Sequence, residues 1–374
     1  MLNLKSLYLI PCLLVITSCL KSDPSPLIFN QGITSLPPDS VSSQYLSANS
    51  CKECHYKQYS EWENSMHKKS YSNRLFISAI KKENQTWCIN CHTPLNEQSK
   101  HFTETDTGHV IPNYKNSDLL DEGINCSVCH VRGDMIYTSS FPGISARFNS
   151  PHKLSYDPYL KSPEFCAGCH EFSFPEQIKP ITLSNSPMQS TYTEWKKSGE
   201  KRTCQNCHFS HGNHTLPGPH TKGFIKSNLD LDFRIINTPM ETFAVIINFS
   251  FDKIGHNFMT GDLFRSESIN IFDNEKNALR TYSLNRNVNL ITKKITSDTI
   301  LKNRNSDGKL KEEVRIQVGQ SFPSYFKIIY HYQGHIESTL EKENFPKKEL
   351  NFVIYDGNCG KLESIKGKKT KSHL

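Results

Sequence analysis

Cys51-Lys52-Glu53-Cys54-His55 is the first of five C-x-x-C-H stretches. The others are Cys88-Ile89-Asn90-Cys91-His92, Cys126-Ser127-Val128-Cys129-His130, Cys166-Ala167-Gly168-Cys169-His170 and Cys204-Gln205-Asn206-Cys207-His208. The pattern is the attachment sequence for c-type haem. Its two thiols add across the porphyrin vinyl groups, and the adjacent histidine turns under the ring to bind iron. One match in a long chain could arise by chance or as a redox CxxC pair. Five matches consume ten of the thirteen cysteines. They predict five covalent haem c groups, with His55, His92, His130, His170 and His208 as proximal iron ligands. Structural zinc in Cys₄ sites is the weaker reading, because a histidine follows every second cysteine.

The chain has 374 residues, and only 36% of them are hydrophobic. Five large apolar porphyrins would supply part of the missing core. Residues 1–18 read as a signal peptide: Lys5, an apolar run from Leu7 to Thr17 too short to span a bilayer, then Ile16-Thr17-Ser18-Cys19 in the manner of a bacterial lipobox. The expectation is an acylated Cys19 and a protein on the periplasmic side of a bacterial membrane. The outer membrane comes ahead of the inner, and the lipid is the sole anchor. The alternative is an ordinary secretory peptide cut near Ser18. Cys12 falls in the leader, so Cys359 has no partner left for an intrachain disulfide, which fits thioether-bound haem better than a disulfide scaffold.

Formal charge is +7. Lys5 is the one charged residue of the leader, so its removal takes this to +6, and ten propionates would bring it to about −4. The basic balance is therefore no sign of nucleic acid, and no nucleic-acid motif is present.

Along the chain, the sequence divides into a lipidated N-terminus and flexible tether (19–48), a pentahaem domain (49–225), a β-rich domain (226–360) and a basic, disordered tail (361–374). The motif histidines recur every 37–40 residues. Periodicity predicts helices over Lys57–Arg74 and Thr191–Ser198. Further on, runs at Thr242–Phe251, Val288–Ile295, Glu313–Val318, Tyr325–Tyr332 and Leu350–Tyr355 read as strands. The fold class is α+β: short helices and irregular chain organised by haem, then an antiparallel, sandwich-like β domain.

Eleven histidines remain for the distal side of iron. His67 lies twelve residues after His55, a rise of roughly 18 Å along a helix, whereas two axial nitrogens on one iron lie about 4 Å apart. His67 therefore serves a different haem from that of His55. His152 follows Ser150-Pro151. His214 and His220 lie in a Pro/Gly-held loop, and His256 sits between glycines after the first strong strand. These five are the distal candidates. His101 and His109, in a Thr/Asp-rich loop, read as solvent-exposed. Met66, Met135, Met188 and Met259 read as packing.

These residues resemble the cytochrome c554 family of multihaem cytochromes and its broad relatives over about residues 49–265, and more weakly beyond. The resemblance rests on Cys51 to His55 with Tyr59, Trp62, Ser65 and His67, on Ser150-Pro151-His152, and on Thr191-Tyr192-Thr193-Glu194-Trp195. It also rests on the His214 to His220 loop and on Gly255-His256 with Thr260-Gly261. It implies distal-ligand roles for these histidines and closely packed haems for electron transfer. Phe209 replaces a Met-Pro, and Met259 a proline, often found in relatives.

Two functions follow. The first is an electron carrier with mostly bis-histidine haems, exchanging electrons with redox proteins, either quinol-linked or soluble cytochromes. No catalytic residue is assigned. The second is a multihaem oxidoreductase of a small nitrogen or sulfur compound, which needs one iron with an open face.

Overall fold

Three-residue spacing on a helix places two side chains on one face, and the CxxCH segments use it. Four of them form helices that end at the motif histidine: Thr86–His92, Cys126–His130, Pro163–His170 and Cys204–His208. The first motif begins in Asn49–Lys52, and His55 stands at the entry to Tyr56–Glu63. Local caps start these short helices. The Asn125 side chain accepts from Ser127 N–H, and that of Ser162 accepts from Phe165 N–H ahead of Pro163. The computed structural model describes residues 41–113, 118–178, 181–289, 291–334 and 336–358. The expected signal peptide, Cys19 and its tether up to residue 40, Cys359 and the basic tail lie outside them.

The helix expected over Lys57–Arg74 stops at Glu63: Tyr56–Glu63 is helical, residues 64–73 form turns, and a second helix, Arg74–Glu83, begins where the expected one ends. Asn64 and Ser65 divert the backbone. Asn64 Nδ2 donates to Ser60 O at 2.9 Å, and Ser65 Oγ accepts from Lys68 N–H at 3.2 Å. Asn73 then caps the second helix through Leu75 N–H at 2.8 Å. Such polar side chains compete with helical hydrogen bonding. Thr191–Ser198 is helical as expected.

The haem-motif region also holds three small sheets: a hairpin of Phe102–Glu104 with Val110–Pro112, a three-stranded sheet including Lys153–Tyr156, and a hairpin of Glu171–Ile178 with Ile181–Ser190. From Leu229 strands dominate. One antiparallel sheet runs Leu310–Gly319, Thr242–Phe251, Leu229–Thr238. The other runs Lys294–Asp298, Ala278–Asn289, Ser266–Phe272, Tyr325–His331, Asn351–Asn358. The run Val288–Ile295 is therefore not one strand but the end of one and the start of the next, with Val288 paired to Ile295 and residues 291–293 in a turn. Asn289 Oδ1 accepts from the N–H groups of Ile291 and Thr292 at 3.0 and 2.9 Å and folds the chain back.

Burial alternates with period two along Ser266–Phe272 and Tyr325–His331, pairing Ile269 with Ile328 and Ile271 with Phe326. These residues join Val245, Ile247, Phe249 and Ile316 in one core between the two sheets. The haem-motif region has only small apolar clusters, around Ile80/Ile89, Leu95/Val128 and Tyr59/Trp62. The architecture is mixed α+β.

Candidate haem centres

Every motif brings its sulfurs to another motif. The side chains of Cys51 and Cys126, of Cys91 and Cys169, and of Cys166 and Cys204 lie within hydrogen-bonding reach of each other. The charge of Cys169 reaches Cys129, which ties the third motif to the fourth. All five attachment segments thus belong to one connected cluster.

The imidazoles pair. His55 faces His152 with ring centroids 6.3 Å apart, His67 faces His170 at 6.2 Å, His130 faces His214 at 6.3 Å, and His208 faces His256 at 6.4 Å. Two imidazoles on one metal, with metal–nitrogen bonds of about 2.0 Å and about 1.1 Å from nitrogen to ring centre, place their centroids about 6.2 Å apart. The four spacings match that sum. Among the described residues, no three His, Cys, Asp or Glu side chains gather around a common point as they would for a bare ion.

Which nitrogen points at the partner is set by the other one. Nδ1 of His92 lies 2.7 Å from Ser70 O, that of His130 2.9 Å from Tyr137 O, and that of His208 2.7 Å from Pro217 O. On the facing side, Nδ1 of His214 lies 2.8 Å from Gly212 O, and that of His256 2.8 Å from Asn257 O. A carbonyl only accepts, so Nδ1 carries the proton in each and Nε2 is left with its lone pair, the form that binds metal. Burial keeps these rings neutral. It pushes His67 and His256 down to about 4 and His170 to about 3, helped by neighbouring imidazoles.

The second half of each pair comes from a distant part of the chain. His67 sits in the turn after Tyr56–Glu63, and its backbone carbonyl accepts from Ile124 N–H at 3.0 Å. That approach needs Gly123, at φ +54°, where a Cβ would come within 2.8 Å of His67 O and 2.3 Å of Ser70 Oγ. The His214 N–H donates to Glu61 Oε2 at 2.9 Å. The His256 loop is held from the sheets, since Arg304 donates to Ile254 O and His256 O at 2.9 and 2.8 Å. Glu194, on Thr191–Ser198, accepts from Thr260 Oγ1 at 2.6 Å and from buried Arg286 at 2.5 Å. Sequence reasoning assigned Glu194 no part. Its signal was the pairing of Glu194 with Thr260-Gly261 among the residues that carry the family resemblance.

His220 and His92 stand apart. His220 lies flat on Tyr332, with centroids 3.9 Å apart and planes at 6°. His92 stacks on Phe76 at 3.9 Å, and none of the described rings within contact of it is an imidazole. His101 and His109 are half-buried around the first hairpin rather than exposed. Met259 is 3% exposed within the intersheet core.

Residues 50–131 match the family described as cytochrome c554 and c-prime. No curated protein matches the chain. Among solved structures, a penta-heme cytochrome c552 from Thermochromatium tepidum is similar with a TM-score of 0.64 over 83% of this chain and 98% of the other, at 16% identity. The chain is a multihaem c-type cytochrome. The likeness to the Thermochromatium protein extends the shared fold of this cytochrome well beyond the matched segment, to 83% of the chain. Haem c is the cofactor of such proteins, and the motif cysteines and paired imidazoles are residues of the chemistry that fits it.

Proposed function

We propose that this cytochrome carries electrons along five covalently held haems, four of them closed by paired imidazoles. The observation behind this reading is the common spacing of His55/His152, His67/His170, His130/His214 and His208/His256. The cysteines of each motif would hold the porphyrin edge and the paired Nε2 atoms the iron. When bound, haem c supplies reversible one-electron chemistry at iron. The protein's part is to keep that change structurally small: backbone carbonyls lock the ring orientations, and sulfur contacts between motifs keep neighbouring centres close. Export, acylation of Cys19 and exchange with quinol-linked or soluble redox proteins complete the proposal. The sandwich of sheets serves as a clamp that delivers His256.

A second reading, reduction or oxidation of a small nitrogen or sulfur compound, is favoured by one observation, that His92 faces no imidazole among the described rings. Its iron would keep an open face. Intact-mass spectrometry of the exported protein tests the haem count. A mass increment of five haems is expected; four or fewer, with all ten motif cysteines intact, would overturn the assignment. Carbon monoxide added to the reduced protein tests the open face, and no spectral change at saturation would remove the second reading.

A further inference from the structure

Between the third and fourth attachment motifs the chain leaves a small sheet and returns to it. Met135–Thr138 pairs with Lys153–Tyr156 in parallel, so the segment from Ser139 to His152 has to carry the chain back to the start of the next strand. Three of its side chains are large, apolar and in solvent: Phe141 is 70% exposed, Ile144 79% and Phe148 83%. Ile144 and Phe148 stand four apart on the helix Ile144–Asn149 and so share one face. The segment is held in place. Phe141 stacks on Tyr156 with centroids 3.9 Å apart, Thr138 Oγ1 donates to Ser140 O at 2.7 Å, and Asn149 Nδ2 donates to Ser145 Oγ at 3.1 Å. An apolar cluster presented to water on a fixed support marks a contact surface.

Two observations say what it contacts. The first is where the N-terminal chain joins the body. Val41 bridges Gly133, and Ser42 N–H donates to Gly133 O at 2.9 Å. Gly133 lies in the turn between Val131–Arg132 and Met135–Thr138 of the same sheet, about 17 Å of strand from Thr138, where the exposed segment starts. Cys19 is 22 residues before Val41. Read as the flexible tether that its composition predicts, that length spans about 25 Å. A lipid on Cys19 would thus hold this corner of the molecule at the bilayer surface. The second observation is charge. Residues 139–152 contain no Asp or Glu, and Lys161 Nζ donates to Ser140 Oγ at 3.3 Å, next to Phe141. Apolar side chains with a cation at their edge suit the headgroup region of a membrane that contains anionic lipid. We propose that Phe141, Ile144 and Phe148 insert into the interface of the membrane that carries this cytochrome, with Lys161 among its headgroups. His152 ends the same segment, and its Nδ1 lies 3.0 Å from Ser150 Oγ, so the insertion turns the His55/His152 centre towards the bilayer. The proposal rests on the reading that Cys19 is acylated.

The test uses the mature holoprotein with Cys19→Ser, exported behind an ordinary secretory leader, so that the exposed segment acts without the acyl chain. It is sedimented with vesicles of phosphatidylethanolamine and phosphatidylglycerol in equal parts, or of phosphatidylcholine alone. Taking a large apolar side chain out of water is worth roughly tenfold in a binding constant. Ile144→Ser with Phe148→Ser should therefore weaken binding to both kinds of vesicle by roughly a hundredfold and leave the haem spectrum unchanged. Lys161→Gln should weaken binding to the anionic vesicles by roughly fivefold and leave binding to phosphatidylcholine within about twofold. No binding by the Cys19→Ser protein, or equal binding by the double variant, overturns the membrane contact. A changed haem spectrum in the double variant places the two side chains against a porphyrin, and conversion of a dimer to a monomer in sedimentation velocity places them against a second copy; either result also overturns it. Intact mass of the native protein reads the acyl chain separately: vesicle binding with no acyl chain on Cys19 keeps the membrane contact and removes the anchor.

Discussion

Glu194→Ala tests whether the sheets and the haem region are one mechanical unit. The Glu194 side chain is 6% exposed and that of Arg286 4%. The carboxylate accepts from Arg286 at 2.5 Å, Thr260 at 2.6 Å, Ser190 Oγ at 3.0 Å and Asn257 N–H at 3.3 Å. Truncation leaves the Arg286 guanidinium buried without a counter-charge, a change that costs roughly 3–5 kcal/mol. That is a large share of the roughly 5–15 kcal/mol that holds a typical domain together. Replacing both partners by apolar residues, as in Glu194→Leu with Arg286→Met, should recover most of the loss, because the pair's attraction is largely offset by its desolvation. Urea denaturation followed by far-ultraviolet circular dichroism measures both. The same carboxylate holds Asn257, whose carbonyl orients His256, so the single variant should also show a high-spin fraction at the haem of Cys204 and Cys207. A loss below about 1 kcal/mol with an unchanged spectrum would refute the reasoning.

Three further outcomes are expected. His67→Ala should leave the haem on Cys51 and Cys54 low-spin and convert the one on Cys166 and Cys169, because His67 faces His170; magnetic circular dichroism with site-specific variants distinguishes the two. Gly123→Ala should lower the melting temperature and give the same spectral change, since its Cβ meets the backbone carbonyls of His67 and Lys68 at 2.8 and 2.9 Å, and φ +54° alone costs a non-glycine residue roughly 1–2 kcal/mol. Glu267 is fully buried with neither carboxylate oxygen partnered, and burial pushes it up to about 8. The folded state therefore keeps a proton that the unfolded state loses near 4.5. Stability should fall as pH rises from there through about 8 and then level off, a window worth at most about 5 kcal/mol. Glu267→Gln should flatten that slope, which melting temperatures at pH 5 and pH 9 would read directly.

The attachment motifs were legible in the sequence because their pattern is local, two thiols and an imidazole within five residues, and because it recurs five times. The run Thr242–Phe251 was legible for a similar reason, as a β-branched, aromatic stretch long enough to override its neighbours. The helix after His55 was misread because Asn64, Ser65 and Asn73 hydrogen-bond to nearby backbone, an effect that hydrophobic period does not register. The separation of His67 from His55 was argued from helical rise, yet the helix ends at Glu63. His67 is instead led to His170 by the packing of Gly123 and Ile124 against its turn. Ser266–Phe272 escaped notice because Glu267 lies on its buried face and Phe272 on its outward one, which breaks the alternation. Which histidine faces which was beyond reach, because each pair is closed by contacts between segments far apart in sequence, and the carbonyls of Ser70, Tyr137 and Pro217 that set the tautomers leave no trace in residue type.

The most direct test of the account is low-temperature electron paramagnetic resonance of the fully oxidised holoprotein, with spins quantified against its haem content. Four paired imidazoles and one histidine facing none predict four low-spin ferric haems for each high-spin haem. Five low-spin haems would contradict the open His92 iron, and two or more high-spin haems would contradict the four imidazole pairs.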